Sequence, residues 1–134
     1  MLTPKLQAAA IPVRDGHVCL VSSRTRKRWV VPKGMIPAGL SLARAAELEA
    51  WEEAGVAGLL VPEPVGTYEY TKNGRAHCVT VFLLHVTSEA DTWPEMHQRS
   101  RVWHPVERAA EQLVEPELRD IVRDVLALSA VEQR

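Results

Sequence analysis

The sequence predicts an α+β fold in which one mixed sheet lies between helices. Three observations predict it. Short apolar runs of strand length, divided by turn residues, fall into two groups. One helical segment separates those groups, and two more follow them, so the order is strands, helix, strands, helices. The chain has 134 residues, with no internal repeat, linker or low-complexity segment. That length suits one domain with one core, spanning residues 1–134.

The elements follow in order. Residues 5–13 are mostly apolar, Asp15-Gly16 is a turn dipeptide, and residues 17–21 form a second apolar run, so the chain opens with a hairpin. Residues 22–28, SSRTRKR, form a basic loop before a short strand at 29–31 that Pro32 ends. Residues 33–39 hold two glycines and a proline and are expected to be loop. Ser41 is a suitable N-cap for a helix over 42–54, and Gly55 supplies its stop. Leu42, Ala45 and Ala46 share one face of that helix, and alanines there allow close approach to a sheet. Strands are expected at 66–71 and 77–86, joined by a turn at Lys72-Asn73-Gly74, where Asn-Gly is a strong hairpin signal. Residues 89–100 are polar and read as loop, 101–103 as a short strand. Helices over 105–113 and 116–129 each open on a proline, which suits a first helical position. The last carries Leu118, Ile121, Val122, Val125 and Leu126 at helical spacing.

Composition limits the function classes. The hydrophobic fraction of 46% and charged fraction of 25% are ordinary for a soluble globular protein. A net charge of −1 gives no overall attraction to nucleic acid or to anionic membrane. No apolar run is long enough to span a bilayer, and the N-terminus lacks the basic and apolar regions of a secretory signal. A cytoplasmic protein, monomeric or homodimeric, is the simplest expectation. Cys19 and Cys78 lie in apolar runs without metal-site spacing and read as buried, reduced thiols.

The chemistry concentrates between Trp29 and Val56. Glu49, Glu52 and Glu53 stand three and four residues apart, so a helix brings their carboxylates together within about one turn. Such a cluster is either a solvated acidic face or a site for a hard cation, since Mg²⁺ and Mn²⁺ prefer carboxylate oxygens. Positive charge gathers in the neighbouring loops. Arg24, Arg26, Lys27 and Arg28 precede the Trp29 strand, and Lys33, Arg75, His77, Arg99 and Arg101 are further candidates for the same cleft. Taken singly, these are ordinary surface charges, and His77 at the start of an apolar strand is better explained as structural. Together they suit an extended polyphosphate, for which the forked donors of arginine are well shaped. Tyr68 and Tyr70 share a strand face and read chiefly as packing residues.

These residues resemble the signature of the Nudix hydrolase superfamily, G-x5-E-x7-R-E-U-x-E-E-x-G-U, with U a bulky aliphatic residue. Aligned without gaps, Gly34, Glu49, Glu52, Glu53, Gly55 and Val56 fall on signature positions, six matches over 23 residues. The order of strands and helices resembles the family's α/β/α sandwich. The resemblance implies hydrolysis of a phosphoanhydride with Mg²⁺ or Mn²⁺ as cofactor. It implies Glu49, Glu52 and Glu53 as metal-site carboxylates, a backbone ligand at Gly34, and a further base from a later loop, for which Glu95 is the candidate. The pattern Arg26-x-x-Trp29-x-Val31-Pro32-x-Gly34, the Arg75-x-His77 pair and Arg99-x-Arg101-x-Trp103 look like the diphosphoinositol and diadenosine polyphosphate phosphohydrolase branch. The implied partner is a small polyphosphate, with other nucleotides (ADP-ribose or a nucleoside triphosphate) as the alternative and no nucleic acid polymer or membrane. The sequence also departs from the pattern. Leu40 replaces the first glutamate, Ala50 replaces the aliphatic residue before x-E-E, and Lys33-Gly34-Met35 stands where the branch has three glycines. Leu48 replaces the arginine that in the family helps orient the neighbouring glutamate, and a leucine donates no hydrogen bond. Arg44, one turn earlier, is the nearest substitute on the helix. These departures leave open a weakened fold that binds a nucleotide without turning it over.

Overall fold

A computed structural model describes residues 2–132, apart from the side chains at 126 and 128–132. Strands β1 (Lys5–Arg14), β2 (His17–Ser22), β3 (Trp29–Val30) and β4 (Lys33–Met35) precede helix α1 (Leu42–Glu49), which runs straight into a π-helical turn (Ala50–Ala54). Then come β5 (Val56–Leu60), β6 (Gly66–Lys72), β7 (Arg75–Glu89), β8 (Arg101–Pro105), α2 (Val106–Gln112) and α3 (Pro116–Glu132). The predicted α+β sandwich is the observed one.

β1 and β7 form the spine, paired in parallel from Lys5↔His77 to Val13↔His85. The free edge of β1 is shared by β4 near its start and β2 near its end. The free edge of β7 is likewise divided between β6 and β5. β2 also carries β3 and β8. Because alternate strand residues point to opposite faces, β1 feeds two cores. Ala8 and Ala10 face the helix α1 side with Phe82, Leu84, Ala45, Ala46, Ala50 and Ala54. Ala9, Ile11 and Val13 face the other side, with Leu83, Leu113, Leu118, Val122 and Val125 from the α2–α3 layer and beneath it. The helix alanines meet the strand alanines, and two small surfaces allow the helix to lie close to the sheet.

Four expectations need correction. Residues 33–35 form strand β4 rather than loop, because Gln7, Ala8 and Ala9 offer a pairing edge that no local signal announces. Strand β5 was not expected. Its flanking Gly55, its interior Gly58 and a bulge at Ala57/Gly58 break the two-residue alternation that marks a strand. β7 runs on to Glu89 because β5 pairs with its last residues. Pro105 ends β8 and serves as N-cap of α2, one residue before the helix, whereas Pro116 opens α3 as expected. Among the two thiols, Cys19 is buried, Cys78 is half-buried and neither is in a disulfide. Leu126 lies outside the described side chains. Among the described residues, no helix is long and apolar enough to cross a membrane.

Candidate functional site

The Ser41 side chain accepts from the Arg44 amide at 3.1 Å and starts α1. Gly55, at φ 67°, stops the π turn in the left-handed region. The end of a helix leaves carbonyls without partners, and here the segment after β7 supplies them. The Trp93 indole donates to Glu53 O at 3.0 Å, the Arg101 guanidinium to Ala54 O at 2.9 Å, and the Glu95 amide to Glu52 O at 2.9 Å. The Arg101 guanidinium also stacks 4.1 Å over the Trp93 ring. This latch fixes the glutamates of the helix and places Glu95 beside them.

Gly34 on β4 faces Glu49 so closely that a Cβ there would overlap its carboxylate. Glycine at this position leaves the room that the Glu49 carboxylate occupies. Glu53 is buried at 4% exposure. Burial pushes its carboxyl up to about 8, Arg99 opposes that, and a hydrogen bond with Glu49 adds to it. Glu49 is also raised, first by burial, with the charges of Glu52 and Glu95 adding. Burial thus favours the neutral form of both carboxyls more than at an ordinary glutamate. Among the described residues no three acid, imidazole or thiol groups already form a metal cage. The donor set nonetheless fits a hard cation. Glu49, Glu52 and Glu53 line one cleft, and the Gly34 backbone lies against Glu49. A cation beside these carboxylates would offset the burial and the neighbouring negative charge that raise Glu49 and Glu53.

The cleft, about 620 Å³, brings together Glu49, Glu52, Glu53, Glu95, Gly34, Arg24, Arg28, Lys33 and Arg99. Arg28 also pairs with Glu115 at 3.1 Å. Lys33 lies over the Tyr70 ring at 5.3 Å, and burial lowers the pKa of its ammonium. Other candidates lie elsewhere. Arg26 bonds Ser100 Oγ and His97 O beside the cleft, and Arg75 donates to Thr3 O. His77 is buried against Tyr70 with its Nδ1 3.0 Å from Arg75 O, and Arg101 belongs to the helix latch. Arg44, the helix substitute for the arginine missing at Leu48, is exposed and pairs with Glu47. It reaches none of the site carboxylates.

Gln7, Tyr70 and Lys72 also line the cleft and were not assigned to it. The Tyr70 hydroxyl donates to Gln7 Oε1 at 2.6 Å, while Tyr68 is buried in the core. The period of two in β6 aligns Tyr68, Tyr70 and Lys72 on one face, a signal hidden by reading Lys72 as part of the turn.

Comparison with known proteins completes the description. A family model described as NUDIX domain matches residues 4–125. Nudix hydrolase 12, mitochondrial, of Arabidopsis thaliana is 37% identical over 71% of the chain and 51% of its own length. Diphosphoinositol polyphosphate phosphohydrolase 3-alpha of Mus musculus is 37% identical over 75% of the chain and 62% of its own length. The chain therefore spans between half and two thirds of these relatives. In structure, the C. elegans Ap4A hydrolase superposes with a TM-score of 0.74 at 20% identity, covering 94% of this chain and 98% of that one.

Proposed function

The chain belongs to the Nudix family, and on that premise we propose that it hydrolyses a phosphoanhydride bond in a polyphosphorylated nucleotide or inositol. One observation carries the reading: an acidic wall of Glu49, Glu52 and Glu53 and a basic rim of Arg24, Arg28, Lys33 and Lys72 line one cleft. A polyphosphate needs cationic side chains along its length, and its scission needs a site where negative charge is neutralised. The name of the mouse relative, a diphosphoinositol polyphosphate phosphohydrolase, supports the same substrate class.

Glu49, Glu52, Glu53 and the Gly34 carbonyl would hold Mg²⁺ or Mn²⁺. Such an ion supplies charge neutralisation on phosphoryl oxygens and lowers the pKa of attacking water. Arg24 and Arg28 draw the substrate's outer phosphates to the mouth of the cleft, and Lys33 binds deeper, beside the acids. Glu95 lines the same cleft and accepts the water's proton in this reading. The proposed location is the cytoplasm; several plant relatives are named as mitochondrial.

The test is a panel of diadenosine polyphosphate, diphosphoinositol polyphosphate, ADP-ribose and nucleoside triphosphate, each with and without Mg²⁺ or Mn²⁺, with Glu52→Gln run alongside. The expected result is metal-dependent turnover, largest for the first two and lost in the variant. Leu40 and Leu48 favour a competing reading, a fold that binds but does not cleave. Binding of the panel with no turnover of any member would select that reading and overturn ours.

A further inference from the structure

We propose that Arg99 is a positioning residue: it sets the Glu53 and Glu95 carboxylates for cation binding and hydrolysis, and it does not bind the substrate. The proposal rests on the hydrolase reading above, and it reassigns a residue that the sequence groups with the phosphate-binding arginines.

Its three guanidinium nitrogens each have a protein partner. Nη2 lies 3.3 Å from Glu53 Oε2, Nε donates to Glu95 Oε1 at 2.9 Å, and Nη1 donates to Ser22 O at 3.0 Å. The residue is 8% exposed. A cation taken out of water to this extent is tolerable only where matched charges and a carbonyl replace its hydration, as they do here. The planar fork then fixes direction as well as charge. Glu53 is held from both sides, because its other oxygen accepts from the Lys33 amide at 3.3 Å. With one oxygen on a strand amide and one on Arg99, that carboxyl has little rotational freedom.

The anchor of Arg99 is itself rigid. Ser22 ends β2, its amide donates to Ser100 O at 2.9 Å, and its hydroxyl accepts from the Ser100 amide at 2.9 Å. Arg99 therefore ties the sheet, the helix glutamate and the loop glutamate into one frame. Leu48 offers no donor to this frame and Arg44 does not reach it. The guanidinium comes from a different part of the chain.

Arg99→Gln and Arg99→Lys test this, the second keeping the charge on a single nitrogen that cannot serve three partners. Mn²⁺ alone is titrated into each protein, and steady-state hydrolysis is measured on the substrate that wild type turns over best. For Arg99→Gln, Mn²⁺ affinity and kcat are expected to fall by about 10–100-fold, in the range typical for groups that orient metal ligands. KM is expected to stay within about threefold, and Arg99→Lys to fall between that variant and wild type. Should Arg99→Gln fail to fold, Arg99→Lys carries the same test. A rise in KM with unchanged kcat and unchanged Mn²⁺ affinity would overturn the proposal in favour of substrate binding. Unchanged Mn²⁺ affinity and unchanged kinetics would overturn it outright. If wild type turns over nothing, the hydrolase reading fails, and the Mn²⁺ titrations alone still decide whether Arg99 sets the carboxylates.

Discussion

Two glutamates in this molecule sit against arginine and end in opposite states. Glu89 receives hydrogen bonds from Arg14 at 2.9 Å and the Trp103 indole at 2.9 Å, and pairs with Arg101 at 3.0 Å. Those donors hold its carboxyl below the usual range. Glu53 has one arginine and one amide, but it is buried and crowded by Glu49 and Glu95, and its carboxyl rises to about 8. The first cluster is electrostatically complete. The second sets Glu49, Glu53 and Glu95 around the one guanidinium of Arg99, and in the proposed reading a cation completes it. A charge imbalance of that kind marks a candidate functional site, and in the proposed reading it is the cation-binding end of the helix.

Substitution separates the two clusters most sharply. Glu53→Gln should cost about 10³-fold in kcat, within the range for a lost catalytic group. Its unfolding temperature at pH 8 should stay near that of wild type, because the amide removes a buried charge but leaves Arg99 a weaker acceptor. Glu89→Gln should leave kcat within about threefold and destabilise by about 1–2 kcal/mol, since its donors lose a charged acceptor at a partly exposed site. Thermal unfolding and steady-state kinetics on both variants check the pair. The comparison breaks if both variants lose stability and keep activity.

Gly34→Ala probes the same end from the strand. A Cβ there displaces the Glu49 carboxylate, so kcat should fall by about 100-fold, in line with the sensitivity of catalysis to small misplacements. Alanine replaces glycine at a position of ordinary negative φ, so secondary structure by circular dichroism should stay unchanged. Activity equal to wild type would mean that Glu49 need not stand where it does.

The two glutamates should also respond oppositely to pH in metal-free protein. Glu53 has a folded pKa above its unfolded value of about 4.5, so between roughly pH 4.5 and 8 the native state holds more protons. Stability attributable to Glu53 should therefore fall as pH rises through that window, and Glu53→Gln should flatten the fall. Glu89 has a folded pKa below its unfolded value. Its contribution is full above the unfolded pKa and is lost as pH drops through the folded one, so Glu89→Gln should flatten the acid limb. Urea titrations across pH would show both slopes, and this is the smallest of the three effects.

The contrast also explains what could be read from the chain. Ser41, Gly55 and the spacing of Glu49, Glu52 and Glu53 act locally, through caps and helical geometry, and local rules expose them. The mostly apolar run of β1 made a buried strand legible. Strand β4 was hidden because its pairing depends on the edge of β1, and β5 because Gly55 and Gly58 interrupt its period. Arg99 and Arg101 were legible as positive charges but not as structural ones. Apart from Glu95, four residues before Arg99, their main partners Glu53, Ser22 and Ala54 lie far off in sequence, and only the fold of the segment after β7 brings them together.

Thermal unfolding with and without Mn²⁺, on wild type, Glu53→Gln and Glu89→Gln at pH 8, tests the central claim most directly. If the Glu53 cluster is the one completed by a cation, saturating Mn²⁺ should raise the unfolding temperature of wild type and of Glu89→Gln by several degrees, as binding to the native state alone requires. The same Mn²⁺ should leave Glu53→Gln almost unmoved. An equal upward shift in all three proteins would contradict the account.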